Sequence, residues 1–157
     1  MAAVKITLRP VQDSDNELLL KIYGSSREQE MAQVPWTPEQ KQQFVRMQWE
    51  AQKNHYAAQH PHATHEIICL ESGAAGRLYL DRSEEKFHIL DITLLPEHRN
   101  GGAGSILLGQ IMAEAKQAGK PVSIYVETFN PSLRLFQRLG FTAIQQQGFH
   151  LLLQYAG

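Results

Sequence analysis

Residues 94–105 read LLPEHRNGGAGS, and this stretch decides the interpretation of the whole chain. An apolar run stops at Pro96, a glycine-rich turn follows, and an amphipathic helical pattern begins at once. The first amides of a helix have no partner inside it and point outward from its positive end. Glycine lets a ligand approach those amides closely. The stretch therefore predicts a cradle for a phosphate or pyrophosphate, to which Arg99 could add charge-assisted hydrogen bonds.

Two familiar phosphate-binding motifs do not fit this turn. A Walker loop requires Gly-Lys-Ser or Gly-Lys-Thr at its end, whereas Gly104 is followed directly by Ser105. A dinucleotide fingerprint requires a longer glycine pattern near the start of its fold. From these residues alone, a glycine-rich connection that holds no ligand remains the alternative.

Upstream of the turn, the pattern predicts a strand and two helices. Residues 5–9 alternate polar and apolar side chains, as a half-buried strand does. Capping-box spacing at residues 14–17 and 37–40 predicts two helix starts, and the second helix runs toward Gln59. The apolar stripe expected on that second helix consists of Phe44, Met47 and Ala51.

The remaining pattern alternates strands with turns and then strands with helices. Glycines and prolines bound each segment, and a helix begins directly after the glycine-rich turn. Asn130 caps a second, shorter helix, and the last strands begin at Phe141. This order predicts a mixed α/β layer architecture with a sheet at its centre. The other strands are predicted at residues 66–70, 77–80, 87–95 and 122–126, with a hairpin turn at 73–76.

Composition excludes several classes of protein. The chain has 157 residues, 43% of them hydrophobic and 20% charged, and a net charge of −1. We therefore expect one domain, residues 1–157, with no nucleic-acid partner. No apolar run approaches the ~20 residues that span a bilayer, so we expect no membrane partner. The single cysteine, Cys69, fits a cytoplasmic location.

We expect no metal site. Four of the seven histidines lie within residues 55–65. A zinc site usually combines fixed ligand spacing with cysteine or carboxylate partners, and this segment lacks that pattern. A polar connecting loop explains the histidines more simply.

Two motifs resemble those of a known family. The pattern Arg99-x-x-Gly102-x-Gly104, after a strand and before an amphipathic helix, resembles the acyl-CoA motif of the GNAT superfamily of N-acyltransferases. Residues 130–141, NPSLRLFQRLGF, are similar to the asparagine, short helix and terminal Gly-Phe of that family. The resemblance implies a GNAT-like fold, with a mixed sheet of about six to seven strands, splayed at the cofactor site and flanked by about four helices.

The resemblance also implies an activity and a cofactor site. The expected reaction moves the acetyl group of acetyl-CoA to a primary amine of a small molecule or protein. The pyrophosphate would rest on the amides of residues 100–105, and the N–H of Leu94 would polarise the thioester carbonyl. Asn130 and Phe136 would flank the thiol end. The implied cofactor-binding residues are Leu94, Leu95, Arg99, Asn100, Gly101, Gly102, Ala103, Gly104, Ser105, Asn130 and Phe136.

Phe136 departs from the family pattern. Many members have a tyrosine there that protonates the departing thiolate, and phenylalanine has no proton to give. A thiol has a pKa near ~8.5, so the thiolate is already a tolerable leaving group and water could protonate it. Tyr125 is a possible substitute donor, although an aromatic residue on a strand more often packs in a core.

Three residues could accept a proton from the attacking amine. His88 has the same strand parity as Ile92 and Leu94, at an offset where several family members place a glutamate. Asp91 has the opposite parity unless a bulge shifts it. Glu127 ends the next strand, beside the expected splay. Ordinary hydrogen-bonded strand residues are the alternative interpretation for all three.

The acceptor pocket should lie between the first helices and the central hairpin. Trp36 and Tyr79 could line it, together with Trp49 and Tyr56, although aromatic residues at these spacings more often belong to a core. Two other functions remain open, an acyl-CoA sensor with little turnover and a protein–protein adaptor. Homodimers are common in the family and possible here.

Overall fold

The computed structural model describes residues 5–156, which form seven strands and five α-helices. Short 3-10 turns precede the first helix and follow the fourth strand. In chain order the elements are β1 (Thr7–Pro10), α1 (Asn16–Ser25), α2 (Glu28–Ala32), α3 (Pro38–Gln59), β2 (Thr64–Leu70), β3 (Gly73–Arg82), β4 (Phe87–Leu94), α4 (Ala103–Gln117), β5 (Val122–Glu127), α5 (Leu133–Arg138), β6 (Thr142–Gln147) and β7 (His150–Tyr155).

The strands form one mixed sheet in the order β1-β2-β3-β4-β5-β7-β6. β4 and β5 are parallel, and the other neighbouring strands are antiparallel. The predicted mixed sheet is thus confirmed. The structure has five α-helices, one more than the expected four. The sequence pattern missed the five-residue α2 because this helix buries none of its residues and so has no apolar stripe.

Each face of the sheet carries its own apolar cluster. On one face, α4 and α5 cover the larger cluster, and on the other, α1 and α3 cover a smaller one. Burying apolar surface on both faces stabilises the layered arrangement by roughly 25 cal/mol per Å². The larger cluster includes Leu78, Leu80, Phe87, Ile89, Leu107, Leu108, Ile111, Ile124, Val126 and Phe136, and the smaller one Leu19, Leu20, Tyr23, Trp49 and Ile67.

A β-bulge in β4 changes which side chains share a face. Tyr79 pairs with Asp91 and Leu80 pairs with Ile89, which leaves Leu90 as the extra residue. Ile89 before the bulge and Ile92 after it both contact the cluster beneath α4. Alternation along each half of the strand then puts His88 and Asp91 on the opposite face, toward α3. The prediction that His88 shares its parity with Ile92 and Leu94 is therefore wrong.

Helix α3 buries a different stripe from the predicted one. Met47 is 59% exposed and Ala51 is exposed, whereas Trp49 is 4% exposed. The inner face also contains glutamines, and Gln52 Oε1 accepts a hydrogen bond from Arg77 Nη2 at 2.6 Å. The prediction failed because polar residues on the inner face do not stand out in an apolar pattern.

Two predicted helix starts had different outcomes. The Thr37 capping box is confirmed, since the Thr37 and Gln40 side chains each bond the other residue's backbone. The box predicted at residues 14–17 is wrong. Instead the Asp15 carboxylate accepts the Gln12 N–H at 2.8 Å and also binds Arg9, so the first helical turn begins earlier than the pattern suggested.

The predicted hairpin turn at residues 73–76 belongs to β3 instead. Gly73, with φ 121°, begins the strand, and the turn lies at residues 71–72. Gly76 lies opposite Leu94, and a Cβ there would overlap the carbonyl oxygen of Thr93. Glycine at this position lets β3 approach the end of β4 closely.

A polar layer separates α3 from the centre of the sheet. Arg77, 2% exposed, donates from Nε to Asp91, which also accepts the Thr93 hydroxyl at 2.8 Å. His65 stacks on Tyr79 with ring centroids 4.3 Å apart. Burial, and secondarily the charge of Arg77, lower the pKa of His65 to about 4. His65 is therefore neutral in the folded protein at pH 7.

We predict that Gly76→Ala destabilises the protein by about 1 to 3 kcal/mol, because the new methyl group would displace the backbone of β4. Gly109→Ala is the matched control. Gly109 is exposed within α4, and an added Cβ meets no heavy atom within 4 Å. Alanine there should stabilise by about 0.5 to 1 kcal/mol. Urea unfolding measures both, and a Gly76→Ala protein as stable as the wild type would contradict the close strand approach.

We also predict that stability falls on acidification, in part through His65. An unfolded histidine takes up a proton near pH ~6.5, whereas folded His65 does so only near pH 4. Neutral His65 contributes its full stabilisation of the folded state above pH ~6.5. As the pH falls toward 4, the free energy of unfolding drops by about 1 to 2 kcal/mol, a figure reduced because His65 is partly exposed.

The variant His65→Phe keeps the ring stack on Tyr79 and removes the titration. Its free energy of unfolding should change less than that of the wild type between pH 7 and pH 5. His55→Phe, on the exposed surface of α3, should keep the wild-type dependence. Equal pH dependence in the wild type and His65→Phe would refute the assignment.

Candidate active site

The sheet opens between β4 and β5. The two strands pair only from Phe87↔Val122 to Ile89↔Ile124, although β4 continues to Leu94 and β5 to Glu127. Within residues 5–156, their pairing does not extend beyond Ile124. The expected splay is therefore confirmed, and it forms a wedge-shaped opening that we call the split.

The backbone of Leu94 is directed into the split. Leu95 N–H donates to Ala75 O at 2.8 Å, and Leu94 lies opposite Gly76 in the same register. Alternate residues of an antiparallel strand bond to opposite sides, so Leu94 N–H and C=O are directed away from β3. Arg99 Nε donates to Leu94 O at 2.8 Å and fixes that side chain beside the split. The Leu94 N–H is thus placed as a hydrogen-bond donor at an open strand edge.

The glycine-rich turn lies at the open end of the split. Asn100 has φ 65° and Gly102 has φ 88°, so two residues adopt the left-handed conformation before α4 begins. A Cβ added at Gly101 or Gly102 would meet no heavy atom within 4 Å. One added at Gly104 would lie 3.8 Å from Leu94 Cδ1, so the helix start is close to the end of β4. Exposed helix-start amides beside open glycines fit a pyrophosphate.

Four predicted side chains lie on one face around the split. Ile124 and Val126 contact the cluster beneath α4, so Tyr125 and Glu127 alternate onto the opposite face. This is also the face of His88 and Asp91, because of the bulge at Leu90. The structure therefore brings together on one face His88, Asp91, Tyr125 and Glu127, which come from two strands.

His88 is a buried imidazole at the closed end of the split. Its Nδ1 lies 2.7 Å from Ser123 Oγ, and its ring stacks on His60, which lies 2.7 Å from the Asp81 carboxylate. Burial, followed by the charges of Lys86 and His60, lowers the pKa of His88 to about 4. A proton bound to His88 is therefore held weakly.

The two carboxylates differ in their partners. Asp91 accepts hydrogen bonds on both oxygens, from Arg77 and from Thr93. Half-buried Glu127 accepts on Oε2 from Asn130 Nδ2 at 3.1 Å. Asn130 in turn accepts the Ser132 N–H at 2.9 Å and so shapes the chain before α5. Among the described residues, no such partner is found for Glu127 Oε1.

Phe136 and Tyr125 lie on opposite faces of the sheet. Phe136 is buried in the cluster beneath α4, with its ring 5.3 Å from that of Phe141. Tyr125 is exposed, with its ring 5.5 Å from that of His88. The structure does not bring the Tyr125 hydroxyl to the position that a tyrosine at 136 would occupy.

The predicted pocket aromatics are not brought together. Trp36 contacts Phe44 near the start of α3, and Tyr79 contacts Tyr56 near its end. A separation of twelve helical residues corresponds to ~18 Å. Tyr56 donates its hydroxyl to Leu90 O at the bulge.

Trp49 is buried in the cluster beneath α1 and α3. It therefore cannot line an open pocket, and that prediction is wrong.

Sequence reasoning missed two aromatic residues at the open end of β5. Phe129 and Phe149 are 69% and 71% exposed, and their ring centroids lie 6.3 Å apart. The one signal in the sequence is that Phe129 directly precedes Asn130, the first residue of the second motif. Their exposure depends on how two distant connections meet, so no local pattern shows it.

Within residues 5–156, no helix has the length and apolarity needed to cross a bilayer. No group of three or more histidine, cysteine, aspartate or glutamate side chains there is arranged to hold a metal ion.

Solved structures share this fold across nearly the whole chain. The PaiA N-acetyltransferase from Thermoplasma acidophilum, crystallised with coenzyme A, superposes with a TM-score of 0.72 at 18% identity, covering 96% of this chain and 98% of that one. An acetyltransferase from Thermus thermophilus gives 0.68 at 18% identity, covering 99% of both chains. At such identities the likeness shows the fold.

A GCN5-related N-acetyltransferase from Rhodopseudomonas palustris also gives a TM-score of 0.68 at 18% identity, covering 98% of this chain and 97% of that one. No curated protein matches the chain significantly. The model of the acetyltransferase (GNAT) family matches residues 26–141, which include the hairpin, the split, the glycine-rich turn and α5. The chain therefore belongs to the GNAT acetyltransferases, a family of enzymes that use acetyl-CoA to acylate amines.

Proposed function

We propose that this protein transfers the acetyl group of acetyl-CoA to a primary amine of a small molecule or peptide, by direct attack of the amine on the thioester. The observation that carries the proposal is the split, with the Leu94 N–H directed into it and the glycine-rich turn at its open end. A glycine-rich turn beside an open strand edge fits the pyrophosphate and the pantetheine thioester arm of an acyl-CoA.

The turn and the strand edge bind different parts of the cofactor. The amides of residues 100–105 bind the pyrophosphate, because the helix start adds a positive end to exposed N–H groups. Arg99, held by its bond to Leu94 O, adds positive charge at the same place. Leu94 presents its backbone N–H to the pantetheine arm, as an added strand pairs with an open edge. Leu95 already bonds Ala75 O and the His98 N–H, so it contributes position rather than a free backbone group.

Leu94 also assists the chemistry. Bound acetyl-CoA supplies an activated acyl group. The Leu94 N–H donates a hydrogen bond to the thioester oxygen, and this bond strengthens as negative charge develops there. A backbone donor fixed by the β3–β4 register needs little reorganisation during the reaction, so its geometry favours the transition state.

Glu127 is the best placed group to accept the proton of the amine. An alkyl ammonium with pKa ~10.4 is only about 0.04% neutral at pH 7, so attack needs a proton acceptor. His88 lies at the closed end of the split, where β4 and β5 still pair, and its Nδ1 is engaged with Ser123 Oγ. Both oxygens of Asp91 already accept hydrogen bonds. Glu127 has one engaged oxygen and lies beyond the point where the strands separate.

The departing thiolate is protonated without a tyrosine at position 136. Phe136 is enclosed by apolar side chains and has no proton to give. The thiolate leaves readily because its conjugate acid has a pKa near ~8.5. Water, or the proton released by the amine, completes the exchange.

A sensor of acyl-CoA is the second candidate function. Phe136 favours it, because the residue at this position serves packing and the usual donor is missing. Such a protein would bind acetyl-CoA through the same turn and release thiol slowly with every amine. Calorimetric titration followed by a thiol-release assay on the same sample separates the two functions.

We predict that Gly102→Glu weakens coenzyme A binding on the order of a hundredfold, because it places a negative charge beside the pyrophosphate. Gly102→Ala shares the backbone strain at φ 88° and lacks the charge, so its loss should be clearly smaller. Gly109→Glu makes the same charge change on the exposed surface of α4 and should bind normally. Calorimetry measures all three, and unchanged affinity in folded Gly102→Glu would disprove the cofactor site.

We predict that Glu127→Gln lowers kcat/KM for the amine on the order of a hundredfold at pH 7, because the proton acceptor is lost. Glutamine retains the bond to Asn130, so coenzyme A affinity should not change. The rate should recover toward pH ~10, where more amine is neutral. Glu85→Gln, on an exposed turn, is the control. If His88→Gln loses activity while Glu127→Gln keeps it, the base is His88.

A further inference from the structure

Two exposed phenylalanines lie just beyond the end of β5, the strand that forms one wall of the split. Thr128 N–H donates to Phe149 O at 2.8 Å, which ties the β5–α5 connection to the β6–β7 turn. This bond brings Phe129 and Phe149 into edge contact at a plane angle of 63°. Two rings that are each more than two-thirds exposed form an apolar surface that water covers poorly.

The end of β5 lies near the height of Leu94. Ile89 and Ile124 form the last pair, and both strands advance by the same ~3.3 Å per residue. With the bulge at Leu90 counted as one extra residue, Thr93 corresponds to Glu127, the last residue of β5. The chain turns directly after Glu127, so the aromatic pair lies beside the strand end that approaches the height of Leu94.

The backbone of an acidic residue, Glu127, adjoins both phenylalanines. Glu127 ends β5 two residues before Phe129 and pairs in register with His150, the residue after Phe149. Exposed Tyr125 lies on the same side of β5 as Glu127. A cation beside an apolar body complements this arrangement, since the ammonium meets the carboxylate and the body meets the rings.

A second copy of the chain would fit this surface less well. Two-fold symmetry places the same patch of each copy against the other and brings the two Glu127 carboxylates toward each other. Like charges at a desolvated contact are unfavourable. A small cationic ligand instead supplies a positive charge that pairs with the Glu127 carboxylate.

We propose that the acceptor is a primary amine attached to an aromatic group, with its ammonium at Glu127 and its ring against Phe129 and Phe149. The inference rests on the proposed acetyl transfer and names the acceptor class of that same site. An aliphatic amine without a ring reaches the carboxylate but leaves the aromatic surface in water. Ring burial should favour the aromatic amine by about tenfold or more in kcat/KM.

The experiment compares 2-phenylethylamine with n-propylamine, by thiol release with acetyl-CoA and by calorimetric titration of each amine. We expect the wild type to prefer 2-phenylethylamine by about tenfold or more in both measurements. Phe129→Ala and Phe149→Ala should each lower that preference about threefold or more, through a lower kcat/KM for 2-phenylethylamine. Ile144→Ala removes an exposed apolar side chain from β6 and should keep the full preference.

Two results would overturn the inference while leaving acetyl transfer intact. One is equal kcat/KM for the two amines in the wild type. The other is a preference that both phenylalanine variants retain, above all if sedimentation shows that they convert a wild-type dimer to monomers. Absence of thiol release with every amine, despite coenzyme A binding, contradicts the proposed function itself and removes this inference with it.

Discussion

The early end of the parallel pairing between β4 and β5 is the constraint on which the site depends. Beyond Ile89 and Ile124 the two strands no longer share hydrogen bonds, so each presents backbone groups to a space rather than to a neighbour. Unpaired strand edges are costly when buried and hazardous when exposed, unless a ligand pairs with them. The close approach of β3 at Gly76 holds β4 from the other side, so that the split opens without detaching β4 from the sheet. The position of Leu94 follows from the early end of the β4–β5 pairing and from the close approach at Gly76. The cofactor proposal rests on that position.

Much of the fold could be predicted because its signals are local. Proline and glycine around α4 mark its start, Gly119 marks its end, and the Thr37 capping box opens α3. The wrong predictions concern contacts between segments that are distant in the sequence. The bulge at Leu90 arises where β4 pairs with β3, and a period of two along β4 alone does not contain it. The inner face of α3 was misassigned because half-buried Gln52 bonds Arg77, and neither residue indicates the other in a linear pattern.

The same distinction between local signals and contacts made by the fold applies to the candidate active site. The residue types for an acyl-CoA cradle and the candidates for the base were identifiable from motif and strand position. Their ranking was not, because it depends on neighbours that only the fold supplies. His88 lies where β4 and β5 still pair, and it is engaged with Ser123, which lies 35 residues away. Asp91 is occupied by an arginine from the preceding strand. Glu127 lies where the strands have already separated, and Phe129 and Phe149 meet through a backbone bond between two connections.

The packing around Phe136 explains how the family's usual proton donor can be replaced here by a hydrocarbon ring. Phe136 lies against Phe141 and within the cluster that α4 forms with the sheet. A hydroxyl at such a place costs about 1 to 3 kcal/mol unless it finds a partner, and a bound thioester would be that partner only while the cofactor is present. Phenylalanine avoids this cost and stabilises the wall of the split in the free protein. The effect on the reaction rate is small if the leaving thiolate is stable enough to remain charged until it is protonated. In the proposed reaction water or the attacking amine supplies that proton, so position 136 is left to serve packing against Phe141.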